Sequence, residues 1–335
     1  MNKSNSPSTI YDVAELSGFS IATVSRVLNS PERVREKTRE KILVAIDTLG
    51  FEPKTDARER ARKEIGRIGV ITPFFTLPSF AQRLRGIAAA VIDSPYDLTI
   101  YPVNSQARLD GYLTVLPFSK QIDGLIIVSL PIADSFIGRL KKSAIPTHLV
   151  ENHIVGFPSV EIDNRYGGKL AAELFIKKGH TQCAYVGNTV TPKYTLNPEE
   201  SRLEGYSQTL LQHGIFLPKE YIKLPNFPPI DPDKQVHELL DLPNPPSAIF
   251  AATDDLALRV LKVARKRGVL IPDELALIGF DDIDIAEYLE LTTISQSLYE
   301  SGKLAAERLI SQMTDPSRPV ENTFIQLRII ERDTT

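Results

Sequence analysis

The chain has 335 residues, of which 42% are hydrophobic and 24% charged, a composition typical of a globular protein with two or three domains. The single cysteine, Cys183, excludes an internal disulfide, and the lack of both a signal-peptide core and an apolar run near the roughly 20 residues of a membrane span predicts a cytoplasmic protein with no membrane partner. The net charge is −3, but residues 1–64 carry 12 basic and 10 acidic residues, so only this part has the sign that suits a phosphate partner.

The N-terminal part predicts three short helices with a tight turn between the first two. Thr9 suits the N-cap of the first helix and Asp12 its first turn, Gly18 permits the turn, and Ser20 suits the N-cap of the second helix. The third helix is expected over residues 37–49. Apolar residues at helical spacing should close a small core: Ile10, Val13, Ala14, Leu16, Val24, Val27, Leu28, Ile42, Ala45, Ile46 and Leu49.

Two helices joined by a glycine-containing turn, with small and polar residues outward on the second, are typical of a helix-turn-helix DNA-binding unit. The second helix would lie in the major groove, with Ile21 and Ala22 facing base edges and Arg26 reaching guanine. The other candidate contacts carry groups suited to phosphate oxygens: Thr9, Tyr11, Ser20, Thr23, Ser25, Asn29 and Thr38. The alternative is a helical hairpin used for protein contact.

The run TIYDVAELSGFSIATVSRVLN, residues 9–29, closely resembles the DNA-binding headpiece of the LacI family of bacterial transcription regulators. The match resumes at REKTREKILVAIDTLGFEP, residues 35–53. The resemblance implies a homodimer that reads pseudo-palindromic operator DNA, since two-fold symmetry lets two headpieces bind two half-sites.

The stretch FEPKTDARERARKEI, residues 51–65, is polar and charged and predicts a domain linker. The resemblance implies a hinge helix that enters the minor groove, usually with a wedged leucine. Arg58 fits that pattern, whereas Arg60 occupies the leucine position, so both are candidate DNA contacts. The alternative is a linker that serves only as a tether.

From Arg67 onward, apolar runs alternate with amphipathic helical stretches, which predicts parallel sheets covered by helices. The expected strands are RIGVIT, DLTIYPV, DGLIIVS, PTHLVE, SVEID, QCAYVG, SAIFAA and LALIGF. Gly179, Gly214 and Gly268 each follow a helical stretch and suit its C-terminal end. The number of expected strands and helices is enough for two such sheets. The predicted fold is therefore an all-α headpiece plus an α/β core of two doubly wound parallel-sheet subdomains with a cleft between them.

The core resembles the family's regulatory core, which is itself similar to periplasmic sugar-binding proteins. That resemblance implies three chain crossings between subdomains, near Ile162, Thr292 and Asn322. The expected domains are the headpiece at 1–50, the hinge at 51–65, one subdomain at 66–162 and 293–322, and the other at 163–292 and 323–335.

Ligands of such folds bind at the carboxyl ends of strands. Aromatic residues after the first core strand could stack on a sugar or base, and the resemblance implies effector contacts from Glu151, Arg202 and Asp281. The candidate effector-binding residues are Phe74, Phe75, Phe80, Glu151, Asn152, Tyr194, Arg202, Phe227, Thr253, Asp254, Asp281 and Gln296. Each alone could instead be a surface group, an ion-pair partner or, for Asp254, a helix cap.

Acids and an arginine beside aromatic rings suit a polyol, so we expect a sugar effector. Leu196 and Pro198 stand where the family's purine-binding branch carries arginine and threonine, which argues against a purine. Scattered histidines and the lack of a nucleophile motif predict no metal, no cofactor and no catalysis. No C-terminal heptad segment follows the last strand-like run, so we expect no tetramerisation helix.

The sequence thus predicts a DNA-binding transcriptional regulator, of the repressor type, whose operator affinity is controlled by a small effector. The alternatives are a sugar-binding protein of the same core fold without operator control, and an α/β enzyme with a helical N-terminal module.

Overall fold

The computed structural model describes residues 8–29, 34–49, 51, 66–119, 121–143, 145–188, 192–225, 231 and 233–335. The chain divides into two compact units, Met1–Ile65 and Gly66–Thr335. The expectations for Arg58, Arg60 and Phe227, and for the side chain of Asn29, lie outside the described residues.

The described residues of the first unit form three helices: α1 Ile10–Ser17, α2 Ile21–Asn29 and α3 Glu36–Leu49. The expected caps are present. The Thr9 N–H donates to the Asp12 carboxylate at 2.6 Å, which closes the start of α1. Gly18 adopts φ +73°, a left-handed conformation that ends α1 at little steric cost, and the Ser20 hydroxyl accepts from the Thr23 N–H at 3.3 Å. Capped ends therefore fix the turn between α1 and α2.

The three helices enclose a small apolar core whose fully buried members are Val13, Val24, Val27, Ile42 and Ala45. Leu16 was expected in this core, but 52% of it is exposed. The buried stripe of α1 runs through Ile10, Val13 and Ala14, and two helical residues turn the chain by about 200°, so Leu16 points away from it.

The second unit contains two six-stranded sheets. Its strands are β1 Gly66–Pro73, β2 Tyr96–Val103, β3 Gly124–Val128, β4 Thr147–Val150, β5 Ser159–Glu161, β6 Cys183–Val186, β7 Ile222–Lys223, β8 Ala248–Ala251, β9 Ala276–Asp281, β10 Thr293–Ser295, β11 Asn322–Phe324 and β12 Arg328–Ile330.

The helices of this unit cover both faces of each sheet. They are α4 Pro78–Ile92, α5 Gln106–Val115, α6 Asp134–Ser143, α7 Asn164–Lys177, α8 Pro198–Gln212, α9 Lys234–Leu240, α10 Asp254–Arg267, α11 Asp284–Tyr288 and α12 Leu298–Thr314. No helix in the described ranges is long and apolar enough to cross a membrane.

The first sheet has the order β11-β5-β4-β3-β1-β2, and all its neighbouring strands are parallel. Its strands alternate between two cores: Leu125 and Ile127 pack with α5 and α6, whereas Ile126 and Val128 pack with α4 and α12. Continuous burial along these strands explains why they appear in the sequence as uninterrupted apolar runs. We call this sheet with its helices the first subdomain.

The second sheet has the order β12-β10-β9-β8-β6-β7, and it is parallel except for β12, which runs antiparallel to β10. A single large apolar core surrounds it, including Phe175, Tyr206, Phe250 and Phe280. We call this sheet with its helices the second subdomain. The eight expected strands and the two-sheet fold class are confirmed.

The chain crosses between subdomains three times, and two crossings lie later than predicted. The first is between Glu161 and Asn164. The second was expected near Thr292, but β10 belongs to the second sheet, so the chain crosses at Gln296 and Ser297, before α12. The third was expected near Asn322, but β11 pairs with β5 in the first sheet, so the crossing follows Phe324 and precedes β12.

One helix pair in each subdomain packs with backbones in close contact. A Cβ at Gly302 of α12 would overlap the carbonyl oxygen of Arg83 on α4, and a Cβ at Gly168 of α7 would overlap that of Arg202 on α8. These two glycines therefore allow the helices that carry Arg83 and Arg202 to pack closely against their neighbours.

Candidate functional site

A cavity of about 560 Å³ lies within the second unit and is lined by residues of both subdomains. Its residues come from the carboxyl ends of strands and the adjacent helix starts, where open α/β sheets bind ligands. The volume falls within the range of about 300–1,000 Å³ typical of small-molecule sites. The sequence-predicted residues in its lining are Phe74, Phe80, Glu151, Arg202, Thr253, Asp281 and Gln296.

Three other expected residues do not line the cavity. Phe75 points to solvent with 40% of its surface exposed. The Asn152 side-chain amide donates to the Leu130 carbonyl at 2.7 Å, so it braces the loop after β4. Tyr194 lies behind the lining, with its ring centroid 6.5 Å from that of Phe74.

Asp254 is also outside the lining, and it does not cap α10. Thr253 is the N-cap, because its hydroxyl accepts from the Leu256 N–H at 3.3 Å. The fully buried Asp254 carboxyl accepts from the Thr293 hydroxyl at 2.6 Å and the Ile283 N–H at 2.9 Å. Burial raises the pKa of Asp254 to about 7. This residue thus ties α10 to the loop after β9 and to β10.

Arg83 of α4 is a cavity residue that the sequence reasoning missed. It is 2% exposed, and its Nη2 donates to Glu151 Oε1 at 2.6 Å and to Gln296 Oε1 at 3.1 Å, while Nε donates to Ser301 at 3.0 Å. The hydroxyl of Ser129 donates to the other Glu151 oxygen. Burial raises the pKa of Glu151, but Arg83 and Ser129 outweigh that effect and lower it overall. Glu151 is therefore held as a carboxylate.

Arg202 supplies the second buried guanidinium of the cavity. Its Nε donates to Asn164 Oδ1 at 2.9 Å and its Nη1 to the Ala252 carbonyl at 2.6 Å. Its guanidinium carbon lies 3.6 Å from the centroid of the Phe280 ring, a cation–π contact. These contacts fix the fork in one orientation at 3% exposure.

Asp281 is joined to Gln296, whose side-chain amide donates to Asp281 Oδ1 at 2.5 Å. Burial raises the pKa of Asp281 well above its ordinary value, Arg202 opposes this, and the nearby Asp254 raises it further. The Gln296 side chain thus connects Arg83 of the first subdomain to Asp281 of the second.

Two further lining residues, Asn188 after β6 and Glu199 in the first turn of α8, form a hydrogen-bonded pair that was not predicted from the sequence. Asn188 donates through its backbone N–H and its side-chain amide to the carboxyl of Glu199, at 2.5 Å and 2.9 Å. Burial raises the pKa of Glu199. Only the placement of Glu199 in a first helical turn was visible in the sequence.

In the first unit, the start of α2 is open to solvent. Ile21 is 41% exposed, and Ala22 and Arg26 are also exposed. Of the residues expected to contact phosphates, Thr9, Tyr11 and Ser20 are exposed, whereas Thr23, Ser25 and Thr38 are half-buried. The hydroxyls of Ser20 and Thr23 lie 2.9 Å apart. The surface that would face DNA is therefore available.

A capped helix-turn-helix unit followed by a two-sheet domain with a cavity between its subdomains defines a class of ligand-responsive DNA-binding proteins. Residues 9–54 match the family model described as bacterial regulatory proteins, lacI family, and residues 172–335 match the periplasmic binding protein-like domain.

Whole-chain relatives agree with these matches. The chain is 32% identical over 325 residues to catabolite control protein A of Priestia megaterium, covering 95% of this chain and 96% of that protein. It is 32% identical over 323 residues to the transcriptional repressor CytR of Escherichia coli K12, covering 93% and 91%. A LacI family regulator from Enterococcus faecium, solved with bound ribose, is 28% identical with a TM-score of 0.70, covering 80% of this chain and 98% of that one.

The chain belongs to the lacI family of bacterial regulatory proteins, and it is a DNA-binding transcriptional regulator with a small-molecule effector domain.

Proposed function

We propose that this protein is a repressor that binds pseudo-palindromic operator DNA as a homodimer, and that a sugar in the cavity between its subdomains changes its operator affinity. The protein acts as a switch and not as an enzyme, and it acts in the cytoplasm, where its DNA is.

The observation that carries the DNA-binding part is the exposed start of α2 on a capped turn. Ile21, Ala22 and Arg26 point to solvent while Val24 and Val27 hold the opposite face in the core. A helix anchored on one face and free on the other is what major-groove reading requires.

The sugar part rests on the cavity. Acids and guanidiniums lie beside the rings of Phe74 and Phe80, whose centroids are 5.9 Å apart. Such a lining pairs hydroxyls with charged acceptors and donors and offers apolar faces to a sugar ring. The ribose bound to the relative from Enterococcus faecium supports this ligand class.

The mechanism is two-state. A ligand that contacts both subdomains favours one angle between them, and it shifts operator affinity only by its difference in affinity for the two states. Gln296 lies at a crossing between the subdomains and is hydrogen-bonded to a residue of each. A ligand that contacts Gln296 would therefore act on the connection between the two subdomains.

The test begins with operators selected from a random duplex library by the full-length protein. We expect two-fold symmetric sites, and we expect Arg26→Ala to lose about 1–3 kcal/mol for the selected site but less for random DNA at matched salt. Lys41→Ala, which removes an exposed charge from α3, serves as the matched control.

Operator affinity is then measured with and without a panel of sugars. If Arg26→Ala weakened binding to the selected operator and to random DNA by the same factor, α2 would not be the helix that reads the base sequence. No change of operator affinity with any sugar would contradict effector control.

A further inference from the structure

The two buried guanidiniums of the cavity, those of Arg83 and Arg202, have unused donors. Among the described residues, Arg83 uses Nε and Nη2 and Arg202 uses Nε and Nη1, which leaves Arg83 Nη1 and Arg202 Nη2 without a protein acceptor. Both side chains are at least nine-tenths buried and both line the cavity. A buried charged donor without an acceptor is costly unless a ligand or water supplies one.

Three acidic side chains of the cavity, by contrast, have oxygens that are committed within the protein. Both oxygens of Glu151 are taken, by Arg83 and Ser129, and both oxygens of Glu199 are taken by Asn188. Asp281 receives the amide of Gln296 on one oxygen. These three acids therefore offer a ligand few free oxygens, while Asn188 Oδ1 lines the cavity as an acceptor without a partner among the described residues.

The charges point the same way. Arg83 is balanced by Glu151, whereas the acceptors of Arg202 among the described residues are the neutral oxygens of Asn164 and Ala252. Both guanidiniums line the same cavity as Glu151.

We propose that the effector is an acidic sugar, a uronic or aldonic acid, whose carboxylate binds the free ends of Arg83 and Arg202. The assignment rests on the proposed function and names the ligand class of the same cavity. A carboxylate has two oxygens, so each of the two free terminal nitrogens can donate a charge-assisted hydrogen bond to one of them. The two further cations of the lining, Arg259 and Lys262, are paired with Asp233, so the additional charge of a phosphate, about one, would meet no free cation among the described residues of the lining.

The test compares matched ligands by titration calorimetry with the full-length protein. The panel is D-glucuronate, D-galacturonate and D-gluconate, the neutral sugars D-glucose and D-galactose, the methyl esters of the two uronates, and D-glucose 6-phosphate. Hydrogen bonds to charged groups predict that one of the acids binds about tenfold to a hundredfold more tightly than its neutral sugar and its ester.

Variants locate the effect. Arg83→Met should lower the affinity for the acid about tenfold while changing that for the neutral sugar little. Arg85→Met is the matched control, because Arg85 lies on the same helix but pairs with Asp284 at the surface. Since Arg83→Met leaves Glu151 buried without its partner, the double variant Arg83→Met/Glu151→Gln keeps the comparison available if the single variant does not fold.

A neutral sugar or ester that binds as tightly as the acid and shifts operator affinity would overturn this inference and leave the proposed function standing. A response to the phosphate and to none of the acids would overturn the carboxylate assignment. An equal loss of acid binding in Arg83→Met and Arg85→Met would also contradict it, because only a general charge effect would remain.

Discussion

Four cavity residues adopt a left-handed backbone: Phe74 at φ 44°, Ser129 at 51°, Glu151 at 56° and Asp281 at 122°. Each stands at or just beyond the end of a strand, and such a conformation costs about 1–3 kcal/mol in a residue other than glycine. This backbone conformation turns the chain at the end of the strand, so that the side chain of each residue points into the cavity. The contacts among Ser129, Glu151 and Arg83 offset part of this cost.

Glu151 and Asp281 follow apolar runs, which are visible in the sequence as strand ends, whereas Arg202 lies within α8 and was predicted from the family resemblance. Arg83 was not predicted. Arg83 instead lies on the face of α4 that carries Phe80, Leu84 and Ile87, where helical spacing predicts an apolar residue. Its partner Glu151 is 68 residues away in the chain, so only the fold brings the two together.

A second buried polar residue, His148 in β4, gives a prediction about pH. It is fully buried, and its Nε2 has no hydrogen-bond partner among the described residues. Burial lowers the pKa of His148 to about 4, below the unfolded value of about 6.5. The unfolded chain therefore binds more protons between these values, and stability falls as the pH drops through that window.

We expect this residue to cost roughly 3 kcal/mol of unfolding free energy between pH 7.5 and pH 4. His148→Leu should remove that part of the pH dependence in urea unfolding, whereas the same change at the exposed His213 should not. Identical pH profiles for wild type and His148→Leu would show that the imidazole is not shielded as described.

Among the secondary elements, the long helices and most strands were predictable, including the three-residue β5, whereas the short strands β7, β10, β11 and β12 were not. Seven of the eight expected strands are largely buried, which explains why they appear as apolar runs, whereas β2 at the edge of the first sheet is only partly buried. β10, β11 and β12 have three residues each, too few to show a period, and TFIQLRII appears as one strand although its two halves join different sheets. The crossing points were misplaced for this reason.

The close contact of α4 with α12 gives a prediction for Gly302. A methyl group there would overlap the Arg83 carbonyl, so the helices must separate. Gly302→Ala should lower stability by about 1–3 kcal/mol, and it should weaken effector binding because Arg83 moves with its helix. Urea unfolding and calorimetry would measure the two effects.

Gly111 provides the control, because it lies within helix α5 and an added Cβ would meet nothing within 4 Å. Gly111→Ala should stabilise the protein by roughly 0.5–1 kcal/mol through helix propensity alone. A Gly302→Ala protein as stable as Gly111→Ala would mean that the backbones are not in contact.

For the molecule as a whole, the cavity lies beside the chain crossings that connect the two subdomains. Arg83 and Glu151 belong to the first subdomain, Arg202 and Asp281 to the second, and Gln296 bonds to a member of each. A ligand in the cavity must therefore contact both halves. Such contact is the condition under which binding can favour one arrangement of the subdomains over another.

The central claim is that the cavity and the operator site are coupled, and coupling is reciprocal. The most direct measurement is the Kd of the bound sugar, by calorimetry, with and without saturating operator DNA. We predict that operator changes this Kd by the same factor by which the sugar changes the operator Kd, about fivefold or more, and that Asp281→Ala abolishes both changes while operator binding without sugar persists. A sugar Kd that is the same with and without operator would contradict the account.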